Sequence, residues 1–285
     1  MECKICSFRT SFFAWGVILK HRIQYFRCNR CGFIQTEDPY WLDEAYTEAI
    51  TKSDVGLVSR NIAFSHISAA LLYIFFEKKA KFLDYGGGCG LFVRLMRDAG
   101  FEFYWHDKFS VNLFATGLEA KNLYGDQYEL ITALEVFEHL AHPIDEISQM
   151  FRISKNILFS TQLIPSALPQ PREWWYYAPE HGQHVSFYTT TSLSVIADKF
   201  GVNLYTNGES LHLFTEKKIS PFLFKRILNP GLAIILGKLW RHRSLLERDY
   251  QDAVKRLGHS NGNETDHPIP DRGIGGKDRD ETRKG

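Results

Sequence analysis

The sequence of 285 residues has little net charge, only five cysteines and no long apolar run. Its 34 lysines and arginines almost cancel its 33 aspartates and glutamates, which argues against a dedicated nucleic-acid-binding protein. No apolar run reaches the ~20 residues that span a bilayer, and no charged-then-apolar leader opens the chain. We therefore expect no membrane span, no targeting peptide and a cytoplasmic location.

What is present is the composition of an ordinary globular protein, with 44% hydrophobic and 24% charged residues. Short apolar stretches alternate with amphipathic segments from about residue 81 onward. The predicted strands are residues 82–85, 103–106, 130–134, 157–160, 202–205 and 211–215. This alternation predicts an α/β fold with a mainly parallel sheet.

The most informative segment is residues 82–91 (FLDYGGGCGL), which predicts a strand, a glycine loop and the start of a helix. The glycine spacing is Gly-x-Gly-x-Gly. Leu91 stands where the dinucleotide-binding fingerprint has its last glycine, so the loop departs from that fingerprint. The loop lets a ligand approach the main chain closely. Its candidate cofactor-binding glycines are Gly86, Gly88 and Gly90.

Two acidic residues accompany this loop. Asp84, at the strand end, would repel a pyrophosphate but attract a cofactor that carries an ammonium and a sulfonium group. Asp107 ends the next predicted strand, where a carboxylate can accept hydrogen bonds from both ribose hydroxyls. The acids and the loop together predict a positively charged adenosyl cofactor.

Residues 84–90 resemble motif I of the class I S-adenosylmethionine-dependent methyltransferases. Residues 128–140 (YELITALEVFEHL) are similar to their fourth-strand segment, Phe-Asp-Leu-Ile-x-x-x-Glu-Val-x-Glu-His, with Glu129 where the family usually has aspartate. The resemblance covers about residues 80–215. It implies a Rossmann-like, seven-stranded, mainly parallel sheet with helices on both faces, S-adenosylmethionine as cofactor, and Glu135 facing that cofactor or the loop backbone.

The cysteines point to a metal site near the N-terminus. Four of the five form two Cys-x-x-Cys pairs, a set that suits tetrahedral Zn²⁺ in a reducing compartment. With no coordination position left open, the site is predicted to be structural, and iron is the alternative to zinc. The predicted ligands are Cys3, Cys6, Cys28 and Cys31.

The order of these features resembles that of bacterial methyltransferases in sugar and surface-polysaccharide pathways. On this view the chain comprises a zinc-ribbon-like module (1–36), a helical linker or cap (37–79), the S-adenosylmethionine-binding domain (80–216), a basic helical extension (217–257) and a disordered tail (258–285).

Two clusters of ionisable residues supply catalytic candidates, since methyl transfer needs alignment and, for some acceptors, a base. The first cluster is Glu135, Glu138 and His139, with His139 as a candidate base. The second lies in the aromatic segment 174–188, where His184 best matches the base of the sugar C-methyltransferases that the chain resembles. Gln183 precedes it where that family has glutamate, and Glu180-His181 is an alternative registration, with His181 as the base. Each histidine has a purely structural alternative, as a hydrogen-bonding core residue.

The sequence thus favours methyl transfer, to carbon or oxygen, on a nucleotide-activated sugar or surface glycan, with no nucleic acid expected as partner. One alternative is an RNA-modifying methyltransferase that grips RNA with the zinc module and the basic extension. Another is a non-catalytic protein that only retains the cofactor fold. Residues 221–240 predict either peripheral membrane contact or packing on the core or a second subunit. The oligomeric state is not predicted.

Overall fold

A computed structural model describes residues 1–47, 54–239 and 243–260. The chain forms two compact units, Met1–Leu246 and Glu247–Gly285. Residues 261–285 of the predicted tail and residues 48–53 of the predicted linker lie outside the described residues. All the features discussed below, except the C-terminal helix, belong to the first unit.

The described strands form two sheets. In chain order they are β1 (Thr10–Ile18), β2 (His21–Cys28), β3 (Ile34–Thr36), β4 (Lys81–Tyr85), β5 (Glu102–His106), β6 (Tyr128–Ala133), β7 (Ile157–Ser160), β8 (Ser186–Phe187), β9 (Asn203–Thr206) and β10 (Leu211–Thr215). A small antiparallel sheet has the order β1-β2-β3-β8, and a larger sheet has the order β5-β4-β6-β7-β10-β9.

The larger sheet confirms the predicted parallel-rich, Rossmann-like fold. Strands β5, β4, β6 and β7 are parallel, whereas β10 runs antiparallel to both β7 and β9.

The sheet has six strands, so the predicted seven was wrong for the described residues. At the edge beyond β5, Trp105 and Glu119 make only an isolated parallel bridge. The Glu119 carboxylate accepts hydrogen bonds from Asn112 Nδ2 (2.7 Å) and from the backbone of Gly117 (3.1 Å). These bonds hold a turn just before the bridge, so a single bridging residue pairs with β5 and no strand develops.

The described helices are α1 (Leu42–Ala45), α2 (Leu57–Phe75), α3 (Leu91–Asp98), α4 (Pro143–Ile153), α5 (Thr190–Phe200), α6 (Pro221–Ile227), α7 (Pro230–Leu239) and α8 (Leu246–Ser260). Helices of the first unit cover both faces of the larger sheet. Successive residues of a strand point to opposite faces. Accordingly, Phe82 of β4 packs in a core with α2 and α3, and Leu83 packs in a second core with α4 and α5.

Helix α2 is long and apolar enough, by length and composition alone, to cross a membrane, with a mean hydropathy of 1.2. The core helices of globular proteins pass the same test, so this is weak evidence. Here Ile67, Leu71 and Leu72 of α2 are buried in the core that contains Phe82.

Residues 221–239 of the basic extension form two helices, α6 and α7. Pro230 opens α7, because proline fits the first turn of a helix but disrupts its interior. Phe224 and Ile227 of α6 are buried in the core, whereas Phe222 is 69% exposed. Membrane contact through this segment stays a prediction.

The small sheet joins the N-terminal residues to the loop after β7. Ile34 and Gln35 of β3 pair with Phe187 and Ser186 of β8. Thr189 Oγ1, at the start of α5, also donates a hydrogen bond to the carbonyl oxygen of Cys31 at 2.6 Å. Residues 1–36 therefore share a sheet with a strand from the middle of the chain.

Candidate functional site

A cavity of about 650 Å³ opens at the carboxyl ends of β4, β5 and β6. The neighbours of β4 in the sheet, β5 and β6, lie on its two sides, so the chain reverses its direction of winding there, which is where open α/β sheets bind ligands. Most of the predicted site residues line this cavity: Asp84, Gly86, Gly88, Asp107, Glu135, His139, His181 and His184. Gly90 immediately precedes α3, and Glu138 is buried; neither residue lines the cavity.

The glycine loop forms one wall. Gly86 and Gly88 have φ angles of 72° and 53°, which residues with a Cβ rarely adopt. A Cβ on Gly86 would come within 2.7 Å of Val136, whereas a Cβ on Gly88 would meet nothing within 4 Å. Trp105 Nε1 donates a hydrogen bond to the carbonyl oxygen of Gly88 at 2.9 Å. The loop is therefore held in place, with open space at Gly88.

Asp84 is a buried carboxylate below this loop. Its Oδ1 accepts a hydrogen bond from Thr132 Oγ1 at 2.6 Å. Burial, with a smaller contribution from the charge of Asp107, raises the pKa of Asp84 to about 7, although the bond from Thr132 acts in the opposite direction. The ionised carboxylate of Asp84 would stabilise a cationic group bound in the cavity.

Asp107 joins the glycine loop to the loop that follows β5. Its Oδ2 accepts from the backbone N–H of Gly88 at 2.9 Å, and its Oδ1 accepts from those of Phe109 (2.7 Å) and Ser110 (2.8 Å). Two carboxylate oxygens offer about four acceptor positions, so one remains for a ligand. The predicted ribose contact stays a prediction.

Glu135 follows β6 in a strained backbone conformation, with a φ of 54°. Ser160 Oγ holds it twice: it accepts from Glu135 N at 2.7 Å and donates to Glu135 Oε1 at 2.5 Å. The Nε of Arg60 lies 3.9 Å from Oε2 of the same carboxylate. A positive φ at a residue other than glycine persists only where its surroundings enforce it, and such residues cluster at functional sites.

Glu138 lies one turn further on and is fully buried. Neither of its carboxylate oxygens has a well-formed hydrogen bond with any described residue. The hydroxyls of Thr161 and Tyr176 lie near enough to lower its pKa slightly. Burial acts more strongly, followed by the charge of Glu135, and raises the pKa to about 8.

His139 and His184 face each other beside Glu138, with ring centroids 4.9 Å apart. Burial lowers the pKa of His139 to about 3 and that of His184 well below its usual value, so both rings are neutral at neutral pH. His184 Nδ1 lies 2.7 Å from the carbonyl oxygen of Tyr176 and must donate to it. The lone pair of His184 therefore resides on Nε2.

His181 lies on the other side of His184, with ring centroids 4.9 Å apart. Its Nδ1 accepts a hydrogen bond from the backbone N–H of Gln183 at 3.2 Å, which places the proton of the neutral ring on Nε2. Burial lowers its pKa as well. His184 is thus in the tautomer that a base or a metal ligand needs, and His181 is in a donor tautomer.

The four N-terminal cysteines come together as predicted from their spacing. The four sulfur atoms all lie within 4.8 Å of one another, and the closest pairs are 3.5–3.6 Å apart. Disulfides would need about 2.05 Å, whereas tetrahedral Zn–S bonds of about 2.3 Å put the sulfurs about 3.8 Å apart. Backbone N–H groups of Ile5, Arg30 and Cys31 point at these sulfurs from 3.4 Å. The donor set fits zinc, and its geometry suits iron equally.

The N-terminal region contacts the loop that carries His181 and His184 at two further points. Trp41 Nε1 donates to the carbonyl oxygen of Gly182 at 2.9 Å, and Gln183 Nε2 donates to that of Ala45 at 2.9 Å. With the β3–β8 pairing, these bonds fix both sides of the loop.

Sequence reasoning missed the cavity residues Tyr46 and Arg60. It also missed Trp105, which bonds to the glycine loop without lining the cavity. Tyr46 and Arg60 come from the predicted linker, where no motif marks them. Trp105, two residues before Asp107, was part of a predicted strand, and its proximity to the glycine loop was its one sequence indication.

A parallel-rich sheet with a glycine loop after β4, the strand at which the chain reverses its direction of winding, defines a Rossmann-like ligand-binding domain. Residues 60–207, just over half of the chain, match the family model of the methyltransferase domain. The chain therefore belongs to the methyltransferase-domain family.

A search of the curated proteins found no match. Similar solved structures include CalO1, a methyltransferase in calicheamicin biosynthesis, with bound SAH (14% identity, TM-score 0.42, covering 63% of this chain and 60% of that one). An O-methyltransferase family 2 protein from Planctomyces limnophilus in complex with apigenin has 14% identity and a TM-score of 0.42, covering 61% and 66%. Magnesium protoporphyrin IX methyltransferase from Synechocystis has 14% identity and a TM-score of 0.39, covering 62% and 95%. The chain spans less than two thirds of the first two.

Proposed function

We propose that the protein transfers a methyl group from S-adenosylmethionine to a sugar, either nucleotide-activated or part of a surface glycan. The observation that carries this proposal is the single cavity that joins the glycine loop and its acids to a histidine cluster with aromatic walls. One end suits the methyl donor and the other suits a hydroxylated acceptor.

The donor end fits S-adenosylmethionine in size and charge. The cavity, at about 650 Å³, is within the usual range of about 300–1,000 Å³ for small-molecule sites. Gly88 leaves space for the ligand to approach the backbone, Asp84 offers a carboxylate to the α-ammonium group, and Asp107 keeps an acceptor position for the ribose. When bound, the cofactor supplies a methyl group already activated on a positively charged sulfur.

The acceptor end combines aromatic surface with a free lone pair. Trp175 and Tyr176 line the cavity, and aromatic faces suit the apolar face of a sugar ring. In the reaction, the acceptor oxygen or enolate carbon bonds to the methyl carbon while the carbon–sulfur bond breaks, leaving its electron pair on sulfur. The proton of the acceptor passes to Nε2 of His184. The geometry is compatible with methylation of either carbon or oxygen.

The four cysteines would hold a structural Zn²⁺ ion as thiolates. Hydrogen bonding to Cys31 lowers the pKa of Cys3, which favours the thiolate form that a metal ion binds. The ion would fix the turn around Cys31. Through the bond from Thr189 to Cys31, it would also fix the end of the loop that carries His181 and His184, the histidine loop.

The test is transfer of label from methyl-labelled S-adenosylmethionine to a panel of nucleotide sugars, lipid-linked glycans and RNA. We expect label in a sugar or glycan, and a strong loss of label with the His184→Ala variant. Label that appears only in RNA would overturn the proposed acceptor class. Cofactor binding without transfer to any member of the panel would favour the non-catalytic alternative.

A further inference from the structure

We propose that Glu138, His139 and His184 bind a divalent transition-metal ion at the histidine end of the cavity, in addition to the ion at the cysteines. One ligand atom from each residue lies within 4.8 Å of the other two. Ligand bonds of about 2.0–2.2 Å place such atoms about 3–4 Å apart around an ion. The three side chains would therefore need to close in by only about 1 Å.

The first argument for a ligand is the state of Glu138. Its carboxylate is fully buried, and neither oxygen has a well-formed hydrogen bond to a described residue. A buried acceptor without a partner costs free energy, and a buried charge costs more. An ion between Glu138 and the two imidazoles would supply the missing partner.

The second argument is the orientation of the two imidazoles. Metal-binding histidines commonly use their second ring nitrogen in a hydrogen bond that fixes the ring. His184 Nδ1 donates to the carbonyl oxygen of Tyr176 at 2.7 Å, and His139 Nδ1 lies 3.1 Å from the hydroxyl of Tyr46. Both Nδ1 atoms are engaged, so the Nε2 atoms remain for the ion.

The donor set indicates which ions fit. One carboxylate oxygen and two imidazole nitrogens suit Mn²⁺, Fe²⁺, Co²⁺ or Zn²⁺ better than Ca²⁺ or Mg²⁺, which prefer oxygen ligands alone. His139 and His184 line the cavity, so the remaining coordination positions face the space assigned to the acceptor. A hydroxyl oxygen of the acceptor would occupy one of them.

This part of the inference rests on the proposed function and changes the role of His184 in it. A lone pair that binds an ion cannot accept a proton. With the ion present, the acceptor hydroxyl would lose its proton to water, because coordination lowers the pKa of the bound oxygen. The resulting alkoxide bonds to the methyl carbon, and the electron pair of the broken carbon–sulfur bond stays on sulfur.

The test is titration of the full-length protein with Mn²⁺, followed by electron paramagnetic resonance, without cofactor or acceptor. Mn²⁺ prefers oxygen and nitrogen ligands to thiolates, so it reports on this site and not on the cysteines. We expect one bound Mn²⁺ per chain and at least tenfold weaker binding in the Glu138→Gln and His184→Ala variants. Glu173→Gln is the matched control, because it removes an exposed carboxylate of the same loop outside the cavity, and it should bind within about twofold of the unaltered protein.

Calorimetric binding of S-adenosylhomocysteine to each variant shows that the cavity is still folded. The proposal is overturned if Mn²⁺ and Co²⁺ fail to bind below millimolar concentration, or if the ligand variants bind as the unaltered protein does. Full methyl transfer by chelator-treated protein that keeps its cysteine-bound metal would overturn the catalytic role and leave His184 as the base. Mn²⁺ binding without methylation of any sugar would instead contradict the proposed acceptor.

Discussion

Asp84 is a carboxylate that the fold buries before any ligand binds, and this makes cofactor affinity dependent on pH. Its pKa of about 7 lies well above the usual value, so below pH 7 the binding of a cation must first remove a proton. We predict that affinity for S-adenosylhomocysteine, which keeps the α-ammonium group, falls as pH is lowered through 7, by up to about tenfold per pH unit, and levels off above it. Calorimetry across this pH range measures the effect.

The control is Asp84→Asn, which keeps the shape but cannot ionise. This variant should bind more weakly at pH 8 and should lose most of the pH dependence. An unchanged pH profile in the variant would assign the titration to another group and remove Asp84 from the ammonium site.

Gly88 is the position where a methyl group should exclude the cofactor. Both Gly88 and Gly201 have positive φ angles and open space at the Cβ position, so Gly88→Ala and Gly201→Ala should carry a similar backbone cost of about 1 kcal/mol. Only Gly88 lines the cavity. We predict at least tenfold weaker binding of S-adenosylhomocysteine for Gly88→Ala and no change for Gly201→Ala, measured by calorimetry. Equal affinities in the two variants would contradict this placement of the cofactor.

At the His184 position, removal of the ring should affect turnover and not cofactor binding. Loss of a positioned base typically lowers rates by about 10²–10⁴-fold. We therefore predict a fall of this size in kcat for His184→Ala, with an unchanged affinity for S-adenosylhomocysteine. A variant that retained half of the activity would make His184 a structural residue, which is the alternative left open by the sequence.

At the scale of elements, the cysteine turn and the histidine loop should behave as one unit. Thr189 Oγ1 bonds to the carbonyl oxygen of Cys31, and β3 pairs with β8 immediately after His184. We predict that Cys31→Ser loses the bound metal and lowers kcat more than it lowers cofactor affinity. Metal analysis should find about one equivalent less of zinc or iron per chain in Cys31→Ser than in the Cys89→Ser control.

The outcome that contradicts this link is full activity in a Cys31→Ser protein that has lost its metal. The histidine loop would then be held by its own contacts, such as that between Trp41 and Gly182.

Elements that form because of neighbouring residues could be predicted from the sequence, whereas elements that need a distant partner could not. Strands β7 and β10 begin and end where the sequence placed them, because each is a short apolar run between polar residues. The glycine loop could be predicted for the same reason, because its signal lies within one short segment. The two-residue strand β8 depends on its pairing with β3, far earlier in the chain, which no window of sequence contains.

The residues of the candidate site likewise divide into those that a local motif predicts and those that only the folded chain brings together. Asp84, Asp107 and Glu135 line the cavity as predicted, because each lies at or just beyond the carboxyl end of a strand. Tyr46 and Arg60 reach the cavity only because the helical segment folds over the strand ends, and this is set by packing over the whole unit.

At the scale of the whole molecule, helix α6, which follows β10, is part of the core of the first unit. Phe224 is fully buried beside Tyr205, whereas Phe222, two residues earlier in the same helix, is 69% exposed. We predict that Phe224→Ala lowers the free energy of unfolding by about 3–5 kcal/mol and that Phe222→Ala changes it by less than about 0.5 kcal/mol. Urea unfolding measures both, and equal small effects would mean that α6 does not pack on the core.

The central claim is that the cavity beside the glycine loop takes a positively charged adenosyl cofactor and not a phosphate-bearing one. Its most direct test is a calorimetric titration of the full chain at pH 8 with S-adenosylhomocysteine and, in parallel, with NAD⁺. The account predicts one S-adenosylhomocysteine per chain and no heat of binding for the dinucleotide. Binding of the dinucleotide, or no uptake of S-adenosylhomocysteine, would contradict it.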